Sequence, residues 1–294
     1  MTSGGSLLAD ALGLKRGLIL HVDDVGMCHS GNQAFLHLFR RGLVSTGSAM
    51  VPCPWFREIA EAAANDPSLD LGVHLTLTSE WPHYRWSPIS TASPASGLID
   101  DDGYFWRDLA SLRTHLVPEA AEIELRAQID RALKAGVRPT HIDAHMAAAM
   151  LPELLECHVA LAREYGLVPV LPHRIQFAPD PARYDAAVAD LQAAGLPLPD
   201  AFRGTLPVEA HDTVSAYHDM IDSLPDGVTH AALHCAFAGD IDAITPQHAP
   251  WRTREAALLS DGAVRDWCKT GDIVVVGYRP IQQIWRERLG WQTA

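Results

Sequence analysis

The 294-residue chain reads as an α/β protein, a distorted (β/α) barrel of the TIM-barrel-like type in a single domain. Three observations predict it. Short apolar runs alternate with helix-period segments along most of the length, the pattern of a mostly parallel sheet with helices outside it. Carboxylates and imidazoles recur at the ends of those runs, where parallel α/β folds build their sites. No repeat, low-complexity tract or linker divides the sequence, so one domain over 1–294 is expected, with its core at about 17–280.

The elements follow in order. Leu18–Val22 is a strand, and Gln33–Arg41 an amphipathic helix stopped by Gly42. Ser45–Val51 is β-permissive and ends at Pro52-Cys53-Pro54; Trp55–Asn65 is helical. Leu71–Leu77 is strand-like, with Val73, Leu75 and Leu77 alternating against His74 and Thr76. A loop-rich aromatic insertion at about 79–106 carries Trp81, His83, Tyr84, Trp86, Tyr104 and Trp106. Such loops border ligand clefts or fold over part of a core, and both readings stand. Pro118–Ala135 is a helix closed by Gly136. Thr140–Ala144 is a strand, Leu151–Tyr165 a helix, and Val168–Leu171 and Arg174–Phe177 short strands. Pro181–Ala194 and His211–Leu224 are helical, and Thr229–His234 is a strand. Ala249–Ser260 and Gly262–Trp267 are helical, and Ile273–Gly277 is a terminal apolar strand.

Charge narrows the partners. With 23 basic and 36 acidic residues the net charge is −13, which opposes binding to nucleic acid, and no basic stripe offsets it. A small-molecule or oligosaccharide substrate fits, and a homodimer is left open. No run approaches the ~20 apolar residues of a membrane span, and the N-terminus lacks the pattern of a signal peptide. The five cysteines, Cys28, Cys53, Cys157, Cys235 and Cys268, are scattered without a CxxC pair. Reduced thiols and a cytoplasmic location are therefore expected.

Chemistry concentrates at strand ends. The run Leu18–Val22 drives into Asp23-Asp24, two carboxylates that repel unless a cation or a proton intervenes. Alternation along a strand points neighbours to opposite sides, so one acid can bind metal while the other acts as a base; a helix-capping turn is the plainer account. His74 ends the third strand. His141, Asp143 and His145 share one side if their strand continues, and Asp143 can orient a neighbouring imidazole. Two imidazoles with a carboxylate leave coordination positions open, the mark of a catalytic metal site. His234 closes another apolar run and can protonate a leaving group. His230, His173, His158, His37 and His29 lack comparable context. Arg252 and Arg254 contact substrate, pair with the acidic rim, or decorate an exposed helix start, the last being the plainer account. No Gly-x-Ser-x-Gly elbow and no phosphate loop is present.

Several ordered motifs carry a resemblance. They are Asp23-Asp24-Val25-Gly26, Gly-Leu-Val-Ser-Thr-Gly-Ser at 42–48, Leu-Gly-Val-His-Leu-Thr-Leu-Thr at 71–78 and Pro-Thr-His-Ile-Asp-Ala-His at 139–145. Leu233-His234, Arg254-Glu255 and Val276-Gly277-Tyr278-Arg279-Pro280 follow. Together they resemble the YdjC-like (ChbG/HpnK) carbohydrate deacetylase family over residues 17–280. The resemblance implies a distorted barrel and metal-dependent removal of an N-acetyl group from an amino sugar or chito-oligosaccharide. By that likeness Asp24, His74 and His145 hold a divalent ion (Mg2+ or Zn2+), and Asp23 is the general base. His234 is an acid or substrate contact, and Asp143, His141 and Arg254 bind substrate or support the site. Two departures accompany it: Met146-Ala147-Ala148-Ala149-Met150 replaces the family's histidine-rich continuation, and Cys235-Ala236 replaces Pro-Gly after His234. Hydrolysis of another amide or ester, or a catalytically silent sugar-binding homologue, are the competing readings.

Overall fold

The computed structural model describes residues 6–173, 175 and 178–291. Among the described residues eight strands form one sheet: β1 (Arg16–Val25), β2 (Thr46–Ala49), β3 (Leu71–Leu75), β4 (His141–Ala144), β5 (Val168–Pro169), β6 (Ala201–Gly204), β7 (Gly227–Leu233) and β8 (Val274–Val275). Their order is β5-β4-β3-β2-β1-β7-β6, with β8 paired to the first half of β1, and every pairing is parallel. Among the described residues β5 and β6 do not pair. The sheet is thus a curled, open half-barrel, which is the form the expected distorted barrel takes.

Alternation along β1 sorts the two faces. Leu18, Leu20 and Val22 belong to the larger apolar cluster, shared with Phe35, Leu38, Ile59 and Leu125 of surrounding helices. Ile19 belongs to a second cluster with Val228, Tyr278, Ile281 and Trp285. By the two-residue period, His21 and Asp23 lie on the Ile19 face, inside the curl. Polar residues thus follow apolar ones along the concave wall toward the strand C-termini.

Helix ends follow local chemistry. Pro118 opens Pro118–Lys134, and the left-handed Gly166 closes Leu155–Tyr165. Asp108 caps Leu109–His115 by accepting from Ser111 N–H at 2.8 Å.

Two differences from the sequence reading have physical causes. β6 lies in Asp200-Ala201-Phe202-Arg203-Gly204, too short and mixed to show a period, and its pairing with β7 makes it a strand. The helix Tyr278–Leu289 has a polar average; its stability comes from one face, where Tyr278, Ile281 and Trp285 are fully buried. Gln282 Nε2 donates to the carbonyls of Gly166 (2.8 Å) and Pro139 (3.2 Å), so this helix closes the N-terminal end of the sheet. The expected strand at Arg174–Phe177 falls largely outside the described residues. In the aromatic insertion Trp86, Leu98 and Phe105 are buried as a cover on the core, while Glu80 and Trp81 face a cavity. Both readings of that loop hold, for different residues. Among the described residues no helix is long and apolar enough to cross a membrane.

Candidate metal centre

Asp23 and Asp24 do not point apart. The β1–β2 register shifts between Val22 and Val25, and Asp24 adopts φ +59°, a left-handed conformation that costs a non-glycine residue about 1–3 kcal/mol. The kink turns both carboxylates into one cavity of about 630 Å³ at the strand C-termini. Strict alternation fails here for that reason.

The same cavity receives His74 from β3 and His145 from the turn after β4. His145 does not continue the strand: a 3-10 turn begins at it, with Met146 (φ +51°) and Ala147 (φ +58°) both left-handed. The turn swings its imidazole toward β1. Asp24 Oδ1 then lies 3.5 Å from His74 Nε2 and 3.2 Å from His145 Nδ1. Ligand atoms of these three residues fall within 4.8 Å of one another.

Each imidazole is held from behind by a carboxylate. His74 Nδ1–H donates to Asp143 Oδ2 at 2.9 Å, a contact set by the direct register of His74 and Asp143 on neighbouring strands. Ser48 Oγ donates to the same oxygen at 2.8 Å. His145 Nε2–H donates to Glu80 Oε2 at 3.0 Å. These bonds hold one proton of each ring on the nitrogen away from Asp24, so the opposite nitrogens are the ones that can give up a proton and offer a lone pair to an ion beside Asp24. That is the carboxylate–histidine arrangement of metal sites. Asp24 Oδ1 is itself buried with no hydrogen-bond partner, an arrangement that is costly unless a cation faces it. The residues present fit a divalent ion.

Electrostatics agree. Burial alone would raise the Asp24 carboxyl, but Arg252, whose Nη2 donates to Oδ2 at 2.8 Å, and the two imidazoles outweigh it and hold it well below the usual range. Burial would lower both histidines; Asp143 lifts His74 well above its ordinary value, and Glu80 with Asp24 pushes His145 up to about 9. The pocket therefore demands positive charge, as protons on free imidazoles or as a bound cation. The sign for ion binding follows. A ligand whose pKa is raised is protonated at neutral pH, so an incoming ion must expel protons. Apparent affinity therefore rises with pH until both imidazoles have lost these protons, about pH 9 in the case of His145. Calorimetry in buffers of differing ionisation enthalpy is expected to report net proton release at pH 7.

Asp23 stands beside this triad. His21 Nδ1 donates to Asp23 Oδ1 at 2.6 Å, and Asp23 Oδ2 lies 3.7 Å from His234 Nε2. Against burial, the His21 bond and charge, with His234 and His74, leave Asp23 below its ordinary value, so it is ionised at neutral pH. His234 Nδ1 is 2.9 Å from Thr205 Oγ1, whose proton goes to Glu255 Oε1 at 3.0 Å. Glu255 Oε2 accepts from the His234 backbone N–H at 2.6 Å. That leaves Nε2 as the nitrogen facing the cavity. Burial lowers the His234 pKa despite Asp24 and Asp23 nearby, so its ring is neutral at pH 7.

The remaining expected residues divide. Asp143 lines the cavity behind His74, while His141 is fully buried beneath it. Arg254 Nη2 donates to the Val208 carbonyl at 2.8 Å and does not line the cavity; its neighbour Arg252 does, buried rather than on an exposed helix start. Glu80, His21, His230, Ser48 and Arg252 are the residues that sequence reasoning passed over or misjudged. Glu80 had one available signal, its place directly after the strand-end motif 71–78. The support from behind is testable. Glu80→Gln and Asp143→Asn are each expected to weaken ion affinity about 10–100-fold while the fold is kept, as read by competition with a chromogenic chelator.

Comparison with known proteins identifies the family. The family model described as YdjC-like protein matches residues 17–270. A carbohydrate deacetylase of Thermus thermophilus is 36% identical over 246 residues, covering 83% of this chain and 86% of that protein. One from Thermoanaerobacter pseudethanolicus is 26% identical over 266 residues, covering 89% and 97%. A crystal structure from Enterococcus faecalis, that of a proposed cellobiose-phosphate cleavage protein, superposes with a TM-score of 0.75 at 26% identity, covering 90% of this chain and 98% of the other. With a family match across most of its length and a curated relative above one-third identity, the chain belongs to the YdjC-like carbohydrate deacetylase family.

Proposed function

We propose that the protein is a metal-dependent hydrolase that removes the N-acetyl group of an amino sugar or chito-oligosaccharide. The observation that carries this reading is the buried, partnerless Asp24 Oδ1 facing two imidazole nitrogens, with a second carboxylate, Asp23, beside it. Asp24, His74 and His145 would hold a divalent ion, which when bound would polarise the amide carbonyl and lower the pKa of a water toward neutrality. Two imidazoles favour zinc, whereas open, water-filled positions suit magnesium, and both ions fit the donor set.

The chain's own groups do the rest. Asp23, ionised and reachable at Oδ2, takes the proton of the attacking water. His234, with its bare Nε2 3.7 Å from Asp23 Oδ2, takes over the proton that Asp23 has accepted from the water and delivers it to the departing amine, while Thr205 and Glu255 fix its ring. Arg252 neutralises the far oxygen of Asp24 and keeps that carboxylate aimed at the two imidazoles. Trp81, Trp251 and His248 line the cavity and offer flat faces against which a sugar ring can lie. A silent binding homologue needs none of the carboxylate support behind His74 and His145. Acetate release is the test: metal-loaded protein is given N-acetylglucosamine and chito-oligosaccharides beside N-acetyl amino acids and O-acetyl esters. Release confined to the amino sugars supports the reading, and release only from the other acetyl compounds replaces it with a different amide or ester.

A further inference from the structure

Beneath the catalytic rim, a line of hydrogen bonds crosses the inside of the half-barrel. Asp70, at the N-terminal end of β3, receives the Thr140 hydroxyl at Oδ1 (2.6 Å) and the Arg279 backbone N–H at Oδ2 (2.8 Å). The single Thr140 proton is spent on Asp70, so its oxygen accepts from His141 Nδ1–H at 2.9 Å. Burial and the neighbouring His21 hold the His141 pKa well below its ordinary value, so the ring is neutral and Nε2 carries a lone pair. That lone pair meets His21 Nε2 at 2.8 Å, and His21 Nδ1 meets Asp23 Oδ1 at 2.6 Å. With Asp70 and Asp23 ionised, proton counting along the line has His21 donating from both ring nitrogens. The ring lies between Asp23 (2.6 Å) and Asp143 (3.7 Å), two carboxylates that favour a donor at each nitrogen.

Space for the line is built in. Gly72 lies beside the His141 ring, and a Cβ there would come within 2.4 Å of His141 Nε2, where a clash cannot be relieved by a flexible chain end. Tyr278 stacks on the other side of His141 at 4.1 Å. A histidine wedged between a glycine and a tyrosine has one position available.

We propose that His21, braced by His141, Thr140 and Asp70, is the positioning residue for the base Asp23. It occupies Oδ1 and leaves Oδ2 as the single oxygen that accepts the proton of the attacking water. The inference rests on Asp23 being the base, as proposed above. His21 touches neither substrate nor ion. The same imidazole could instead join Asp23 and His230 around a second cation, since their ligand atoms lie within 4.8 Å of one another. His21 Nδ1 in its bond to Asp23 carries a proton and is closed to a metal, which argues against that use.

The test has two arms. ¹⁵N–¹H spectra of histidine-labelled, magnesium-loaded protein are expected to show one imidazole with both nitrogens protonated and a downfield Nδ1 proton, absent from His21→Asn. In kinetics, His21→Ala is expected to lower kcat about a hundredfold with KM and ion affinity unchanged. His21→Asn, whose amide can still donate to Oδ1, is expected to recover part of the loss. Gly72→Ala displaces His141 without touching an ionisable group and gives the same kcat loss in milder form. A His21 ring with one bare nitrogen, a loss confined to KM, or a second equivalent of cobalt bound by wild type and lost in His21→Ala overturns the proposal. The spectral arm needs no substrate. If wild type hydrolyses no acetylated sugar, the function reading fails while the spectra still decide on His21.

Discussion

Asp24→Asn is expected to abolish tight ion binding and to lower kcat/KM by about a thousandfold or more, equivalent to about 4 kcal/mol of transition-state stabilisation. The reason is local. Asp24 is the one carboxylate whose oxygen faces both imidazoles, and its other oxygen neutralises the buried Arg252. An amide keeps the shape but removes the charge, and its NH2 end cannot serve both Arg252 and an ion. Leaving the guanidinium unpaired carries a stability cost of about 3–5 kcal/mol. A thermal melt therefore accompanies the assay. Arg252→Met with Asp24→Asn removes both charges, and this double variant is expected to regain stability without regaining ion binding. That outcome separates the electrostatic cost from the loss of a ligand.

Asp23→Asn is expected to behave in the opposite way. Ion affinity stays within about threefold of wild type, yet kcat falls about 10²–10⁴-fold, the range for loss of a general base. Asp23 lies outside the Asp24–His74–His145 set, and its Oδ1 is already taken by His21. Chelator competition and single-turnover kinetics on the same preparation check both halves. A parallel fall in ion affinity would move Asp23 from base to ligand.

Much of this site was legible because parallel α/β folds place polar residues where apolar runs stop. Asp23-Asp24 follows Leu18-Ile19-Leu20-His21-Val22, His74 follows Leu71-Gly72-Val73, and His145 follows the polar-alternating strand His141–Ala144, so the sequence marks those ends without any knowledge of pairing. What was hidden depends on contacts between distant segments. Arg252 reaches Asp24 across 228 positions and Glu80 reaches His145 across 65. No spacing rule links such pairs. His21 was hidden differently: inside an apolar strand it reads as one more core residue, and only the curl of the sheet brings it to His141. The kink at Asp24 was equally invisible, since strand alternation sends adjacent acids apart and a left-handed φ is needed to reunite them. β6 lacked a periodic signal, because pairing with β7 and not propensity holds it, whereas the helix after Gly277 repeats Tyr278, Ile281, Trp285 and Leu289 at helical spacing within a polar segment that masks the pattern.

The most direct test of the whole account is a titration of metal-stripped protein with zinc and, separately, magnesium, with bound ion and acetate release from a chito-oligosaccharide followed together. The account predicts no release before the ion is added, activity rising in step with occupancy, and saturation at one ion per chain. Acetate release that persists after complete removal of the ion, or full occupancy with no release from any N-acetylated sugar, would contradict it.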